Sequence, residues 1–238
     1  MNIALIFAGG AGKRMNTKDV PKQFLMVHGK PIIIHTIEVF EQHPEIDGIV
    51  VVCLEDYINN LEELKHRYRL DKIISIVPGG ATGQLSIYNG LKEAARHYKK
   101  KDTIVLIHDG VRPFIESDLI SRNIAGVMAN RSCITCGTAT ETFVLLGNDS
   151  EVERIMDRSL SRTAKAPQSF YLYDILEKHE QALRDGYRDM IDSVTLMSHY
   201  GMKPSITECG SNNIKITTPD DFYIFRALYD AKENKQLV

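Results

Sequence analysis

The chain has 238 residues, 43% hydrophobic and 25% charged, a balance that suits a soluble globular protein and excludes disordered and collagen-like classes. Its 29 Lys and Arg against 31 Asp and Glu leave a formal charge of −2, so nucleic acid is a poor default partner and any phosphate affinity must come from a local cluster. No apolar stretch reaches the ~20 residues that span a bilayer, and the amino terminus runs directly into a strand-like segment with no signal peptide, so the chain reads as cytoplasmic with no membrane partner.

Residues 2–7 form a short apolar run that ends in Ala8-Gly9-Gly10-Ala11-Gly12. A helix follows over 31–42, where Ile33, Ile37 and Phe40 recur at three to four residues after a first-turn Pro31. The same rhythm then repeats: strand 48–54, helix 56–69, strand 72–77, helix 86–98 and strand 103–107. Strands alternating with helices predict parallel strands joined by crossover helices, an α/β doubly wound sheet with ligands at the carboxyl ends of its strands. From residue 132 the rhythm changes. Residues 132–137, 141–146 and 151–156 read as strands around a Gly147-Asn148-Asp149-Ser150 turn, a protruding hairpin. Helices over 172–184 and 190–200 and short strands at 204–207 and 214–216 follow. Thr218-Pro219-Asp220-Asp221 then opens a final helix as cap, first-turn Pro and acidic turn, with Phe222, Phe225 and Tyr229 on one face. With no linker or repeat, a single domain over 1–238 is the economical reading.

Four cysteines, Cys53, Cys133, Cys136 and Cys209, are too scattered for a disulfide scaffold. Cys133 and Cys136 lie three apart on a strand and so point to opposite faces, which disfavours a metal or redox pair.

Chemistry concentrates in four places. The loop from Ala8 to Met15 follows a strand, and its glycines let backbone N–H groups approach phosphate oxygens. It is not a Walker loop, because Arg14 stands where Ser or Thr is needed, and it lacks the last glycine of the dinucleotide pattern. Lys13, Arg14, Lys18 and Lys22 lie within ten residues, with Asp19 the only acid; the alternative is a tight turn with a solvated basic loop. His108-Asp109-Gly110-Val111-Arg112-Pro113 follows a buried run, and a carboxylate at a strand's carboxyl end can hold Mg²⁺ against phosphates, though Asp-Gly is also a common turn pair. Gly79-Gly80 with Ser86 either reads a base edge or caps the helix. Lys215 inside a strand meets an anion or lies on an edge.

Taken together, Ala8-Gly9-Gly10-x-Gly12-x-Arg14-Met15, Pro21-Lys22-Gln23-Phe24, Gly79-Gly80 with Ser86, His108-Asp109-x-x-Arg112-Pro113, Pro167-Gln168-x-Phe170 and Asn213-Ile214-Lys215-x-Thr217 resemble the CTP-dependent cytidylyltransferases that act on polyol phosphates, over essentially the whole chain. That family includes the 2-C-methyl-D-erythritol 4-phosphate enzymes of isoprenoid synthesis and the ribitol 5-phosphate enzymes of teichoic acid and capsule synthesis. The resemblance implies a Rossmann-like, mostly parallel nucleotidyltransferase fold and a homodimer joined by a β-arm at about 138–163, with CTP and a small polyol phosphate as partners and Mg²⁺ as cofactor. It assigns Arg14, Lys22 and Lys215 to the reacting phosphates and Asp109 to Mg²⁺. Ala8, Gly9, Gly10, Ala11, Gly12 and Lys13 fall to the nucleotide loop, Gly79, Gly80, Ser86 and Gly110 to cytosine recognition, and Thr142 and Arg158 to the polyol phosphate, often across the dimer interface.

Three positions depart from the family pattern. Gly83 replaces an Arg, Ala166 replaces the Thr before Pro-Gln, and Asn212 replaces the second metal-ligand Asp, keeping an amide oxygen without the charge. Phe7-Ala8-Gly9-Gly10, Val111-Arg112-Pro113-Phe114-Ile115 and Lys215-Ile216-Thr217-Thr218 lean toward the ribitol branch, so the expected reaction is CMP transfer from CTP to ribitol 5-phosphate, with methylerythritol phosphate second. Another pentitol or glycerol phosphate remains open as acceptor, and a non-catalytic nucleotide-binding regulator is the alternative of another class.

Overall fold

The structure is a computed structural model and describes residues 1–10 and 20–234. Its centre is built from short, β-branched runs. β1 (Asn2–Ala8), β4 (Gly48–Cys53), β5 (Ile73–Pro78) and β6 (Ile104–Asp109) are parallel, and every residue of β4 and β6 is buried, as strands covered on both faces require. The crossovers between them are α1 (Ile32–Gln42), α2 (Ile58–Tyr68) and α3 (Gly83–His97). A two-stranded ribbon, β2 (Met26–Val27) with β3 (Lys30–Pro31), leads into α1, and Pro31 is the cap of that helix rather than its first turn.

Two elements escape a periodicity reading. α4 (Ser117–Asn130) packs Leu119, Ile120, Ile124 and Val127 against the sheet. β10 (Arg162–Tyr171) inserts antiparallel between β6 and β7 (Ser132–Thr138); Pro167 sits where its register shifts, between Ala164 and Gln168. β11 (Ile206–Glu208) adds to β7 in parallel. The order across the seven-stranded sheet is β11-β7-β10-β6-β1-β4-β5, so the chain winds outward from β1 through β4 and β5 and then crosses back to β6 on the other side of β1. The strand order therefore reverses between β1 and β6.

Helices cover both faces. Ile33, Ile37 and Phe40 of α1, Leu61 of α2 and the α4 stripe fill one layer. The other holds Ile87 and Leu91 of α3, Ile175 and Ala182 of α5 (Leu172–Arg184) and Leu196 of α6 (Ser193–His199). This is the expected doubly wound, mostly parallel α/β fold. Cys133 belongs to the first layer and Cys136 to the second, as strand alternation requires, and both thiols are free.

Beyond β7 the chain forms a separate antiparallel pair, β8 (Val144–Leu146) with β9 (Val152–Ile155), in which every residue is exposed. The final helix α7 (Pro219–Glu233) starts at Thr218 with a capping box: Thr218 accepts from the Asp221 N–H, and Asp221 Oδ2 accepts from the N–H groups of Thr217 and Thr218 at 2.8 Å each. Such a box contributes about 1 kcal/mol and fixes the segment just before the helix. That segment, residues 214–216, is not the strand its sequence predicts. It makes one sheet-like bond, Ile216 N–H to Val111 O at 2.9 Å, and otherwise runs as an irregular strap over the carboxyl end of β6.

Candidate active site

The reversal of strand order opens a crevice between the carboxyl ends of β1 and β6, where ligands of such sheets bind. One wall is the turn after β1. Gly9 and the Gly79 turn after β5 come so close that a Cβ on Gly9 would lie 3.3 Å from Gly79 Cα and 3.2 Å from Ser86 Oγ, so glycine is what lets these two loops touch. Ser86 does not cap α3; Thr82 does, by accepting from the Leu85 N–H. Instead Ser86 Oγ accepts from the Gly80 N–H at 3.0 Å and donates to Thr82 O at 2.9 Å, which holds the glycine turn in shape. Gln84 ties the same turn to the loop before α6, donating to Tyr187 O at 2.9 Å and accepting from the Met190 N–H at 2.8 Å.

Ala8, Gly9 and Gly10 are pinned by Gln23, whose buried amide donates to Ala8 O at 2.7 Å and Gly10 O at 3.3 Å. Ala11, Gly12, Lys13 and Arg14, which the sequence assigns to the phosphates, lie outside the described residues, as does Lys18. Lys22, next to Gln23 in a short 3-10 turn, donates to Ile216 O at 2.9 Å, one residue from Lys215.

The other wall carries the charge. Asp109 ends β6, and its buried carboxylate accepts from Arg112 Nε at 2.7 Å through Oδ2 and lies 2.6 Å from Lys215 Nζ through Oδ1. Burial alone would raise this carboxyl, but the two cations and their hydrogen bonds outweigh it and hold it at about 2. Lys215 thus meets an anion, the first of the two alternatives that its sequence position leaves open. Arg112 also donates to Asn213 O at 3.0 Å, and Asn213 in turn donates to Ala166 O at 2.8 Å on β10, so one guanidinium joins β6, the strap and β10. Gly110 leaves room for Ala8: a Cβ there would meet Ala8 Cβ at 3.0 Å. His108, wholly buried, bonds Arg112 O through Nε2 at 3.1 Å and is pushed down to about 4 by that burial, with the hydrogen bond opposing. It is a neutral, buried histidine.

Asn212 does not join Asp109. It is exposed and lines a separate cavity of about 860 Å³ with Phe114, Ser117 and Leu228, while its neighbour Asn213 reaches the cluster. Thr142 and Arg158 are exposed on the segment carrying the β8–β9 pair, and among the described residues neither bonds to the cluster. Gln23, Arg112 and Asn213 had no assigned role in the sequence reading. Their placement inside the Lys22-Gln23, Asp109-x-x-Arg112 and Asn213-x-Lys215 motifs was the available signal.

With one buried anion between two cations and Lys22 at hand, the crevice carries surplus positive charge at the end of a parallel sheet. It can bind a polyphosphate and stabilise charge that develops on it.

Comparison with known proteins agrees with this chemistry. The family model of 2-C-methyl-D-erythritol 4-phosphate cytidylyltransferase, IspD, matches residues 2–230. Ribitol-5-phosphate cytidylyltransferases are 52% identical in Streptococcus agalactiae serotype III, over 100% of this chain and 99% of that one, and 50% identical in Vibrio parahaemolyticus, again over 100% and 99%. The 2-C-methyl-D-erythritol 4-phosphate cytidylyltransferase of Syntrophus aciditrophicus is 34% identical over 98% of this chain and 97% of that one. Among solved structures, 4-diphosphocytidyl-2C-methyl-D-erythritol synthase from Anaerococcus prevotii superposes with a TM-score of 0.83 at 26% identity, covering 96% of each chain. A charged crevice at the switch point of a doubly wound sheet and a match along nearly the whole length lead to one conclusion: the chain belongs to the IspD family of cytidylyltransferases.

Proposed function

We propose that the protein transfers CMP from CTP to ribitol 5-phosphate, giving CDP-ribitol and pyrophosphate. The observation that carries this reading is the full-length 52% identity to ribitol-5-phosphate cytidylyltransferase, set on a crevice whose buried Asp109 is flanked by Arg112 and Lys215. A phosphate oxygen of the acceptor attacks the α-phosphorus of CTP, the bond from that phosphorus to the bridging oxygen breaks, and pyrophosphate leaves with the electron pair. The nucleophile is already ionised, so no general base is needed and catalysis rests on positioning and charge. Lys22, Lys215 and Arg14 supply that charge. The turns at Gly9-Gly10 and Gly79-Gly80, braced by Gln23 and Ser86, hold the nucleotide, with Gly110 at the floor.

Asp109 suits a divalent cation: it is ionised, it is a hard oxygen donor, and one of its partners is a half-exposed lysine that can be replaced. Mg²⁺ is compatible with a single carboxylate, since it takes one or two and completes its shell with phosphates and water. When bound, it would neutralise the triphosphate and the departing pyrophosphate.

A cavity of about 490 Å³ at the root of the β8–β9 arm supports a polyol acceptor. Thr138, Thr140, Thr163 and Ser211 line it with hydroxyls, and Lys165 adds a cation. In the same reading the arm joins two copies of the chain and brings Thr142 and Arg158 to the acceptor. No helix among the described residues is long and apolar enough to cross a membrane. Phosphorus NMR of CTP, Mg²⁺ and ribitol 5-phosphate with the protein checks the proposal. CDP-ribitol and pyrophosphate should accumulate in equal amounts, and Lys22→Ala should lower turnover about 10²–10³-fold, the scale of losing one preorganised donor. Undiminished turnover in that variant would remove Lys22 from the mechanism, and no product with wild type would defeat the reading.

A further inference from the structure

Asp109 has no unpaired carboxylate oxygen. Oδ2 takes Arg112 Nε at 2.7 Å and Oδ1 takes Lys215 Nζ at 2.6 Å; each oxygen keeps a second lone pair, yet a divalent ion on either one would stand beside a fixed cation, and that repulsion favours moving one of the two away. The two partners are not equivalent. Arg112 is buried and spends a second nitrogen on Asn213 O, so moving it would break the link between β6, the strap and β10. Lys215 is 39% exposed in its side chain, and among the described residues its ammonium otherwise makes a loose approach to the Phe7 ring at 5.9 Å. The strap that carries it is anchored on both sides by other groups, through Asn213 O to Arg112 before it and through Ile216 N–H to Val111 O and the Asp221 cap after it. Lys215 can therefore turn away without unfolding its backbone.

We propose that Lys215 is a resident cation that reserves the metal position on Asp109, giving up Oδ1 only when a metal–nucleotide complex supplies phosphate oxygens for its ammonium. The proposal rests on the cytidylyl-transfer reading above, with Asp109 as metal ligand. Its physical basis is charge. Metal without nucleotide would leave an ammonium beside a divalent ion with no anion to receive it, whereas the triphosphate delivers that anion. Arg112 stays throughout as a positioning residue that keeps the carboxylate oriented. The device makes divalent-ion binding conditional on nucleotide.

The test is a titration with Mn²⁺ alone, read by the EPR signal of the free ion, without nucleotide. Wild type should bind weakly and Lys215→Met about tenfold or more tightly, the scale of one charged hydrogen bond removed from competition. Lys215→Arg, which keeps a cation against Asp109, should stay near wild type. Lys22→Met should change affinity less than about twofold, because Lys22 bonds Ile216 O whereas the Asp109 oxygens are held by Arg112 and Lys215. Adding Asp109→Asn to Lys215→Met should abolish the gain. Equal affinity of Lys215→Met and wild type, an equal gain in Lys22→Met, or a gain that survives Asp109→Asn each overturns the exchange. A parallel titration with Mn²⁺ and CTP separates the two levels of inference: if Asp109→Asn leaves that ternary affinity intact, the metal-ligand reading itself fails, whereas an Asp109-dependent ternary complex beside an unresponsive Lys215→Met defeats the exchange alone.

Discussion

At Gly80 a Cβ would lie 2.5 Å from Leu85 Cβ and 2.9 Å from the Leu85 carbonyl carbon. That is nearer than atoms can stand, so the turn after β5 owes its course to a missing side chain. Gly80→Ala should cost about 1–3 kcal/mol through displaced backbone and raise the KM for CTP, as thermal melts and initial rates would show. Gly83, three residues on, has nothing within 4 Å of its Cβ position, and Gly83→Ala should leave both quantities near wild type. Equal damage from the two changes would show that the Gly80 contact does not constrain the turn. The same scale explains why Asp109 and Lys215 are legible in the sequence and the part played by Arg112 is not. An acid directly after a buried apolar run is a local signal. Arg112 becomes a strut only because Asn213, 101 positions later, returns its carbonyl to meet it, and no spacing rule encodes that meeting. Asn212 matches the family's second metal-ligand position by sequence, yet its neighbour Asn213 is the one that bonds Arg112, because the strap's path decides which of two adjacent asparagines faces inward.

Among the elements, those built on one clear period were readable. β1 ends one residue past its expected bound, and α5 matches 172–184 at both ends. β10 was not readable, since Arg162, Lys165 and Pro167 interrupt its alternation and its pairing with both β6 and β7 comes from tertiary packing. α4 has a helical stripe of its own, Leu119, Ile120, Ile124 and Val127, that the strand-by-strand reading passed over. The β8–β9 arm is the element with the least core of its own. Leu146 and Ile155 are 61% and 67% exposed, and a lone hairpin is marginal in water. On the proposal that the arm joins two copies, Leu146→Asp with Ile155→Asp should leave a monomer where wild type is a dimer in light scattering, and should raise the KM of the acceptor more than that of CTP. A dimer that survives the double change would place the interface elsewhere.

On the scale of the whole molecule, near-neutral composition conceals a local concentration of charge: 29 positive residues are offset by 31 negative ones overall, yet Arg112 and Lys215 meet at a single buried acid and Lys22 bonds the residue next to Lys215. Global stability has a separate electrostatic liability. His179 on α5 is buried with both ring nitrogens unpaired, stacked 6.1 Å from Tyr88 on α3, and burial pushes it from 6.5 down to about 4. The folded form therefore refuses a proton that the unfolded chain accepts. The contribution is favourable above about pH 6.5 and is lost as pH falls toward 4, by up to about 3 kcal/mol. In urea melts at pH 7 and pH 4.5, His179→Phe should lose less stability between the two than wild type; an equal loss would remove His179 as the cause. Competition between acceptors reads the enzyme's choice of substrate. With CTP, Mg²⁺ and equal ribitol 5-phosphate and 2-C-methyl-D-erythritol 4-phosphate in one vessel, CDP-ribitol should be the dominant product by mass spectrometry. A mixture dominated by the methylerythritol product, or no CDP-alcohol at all, would contradict it.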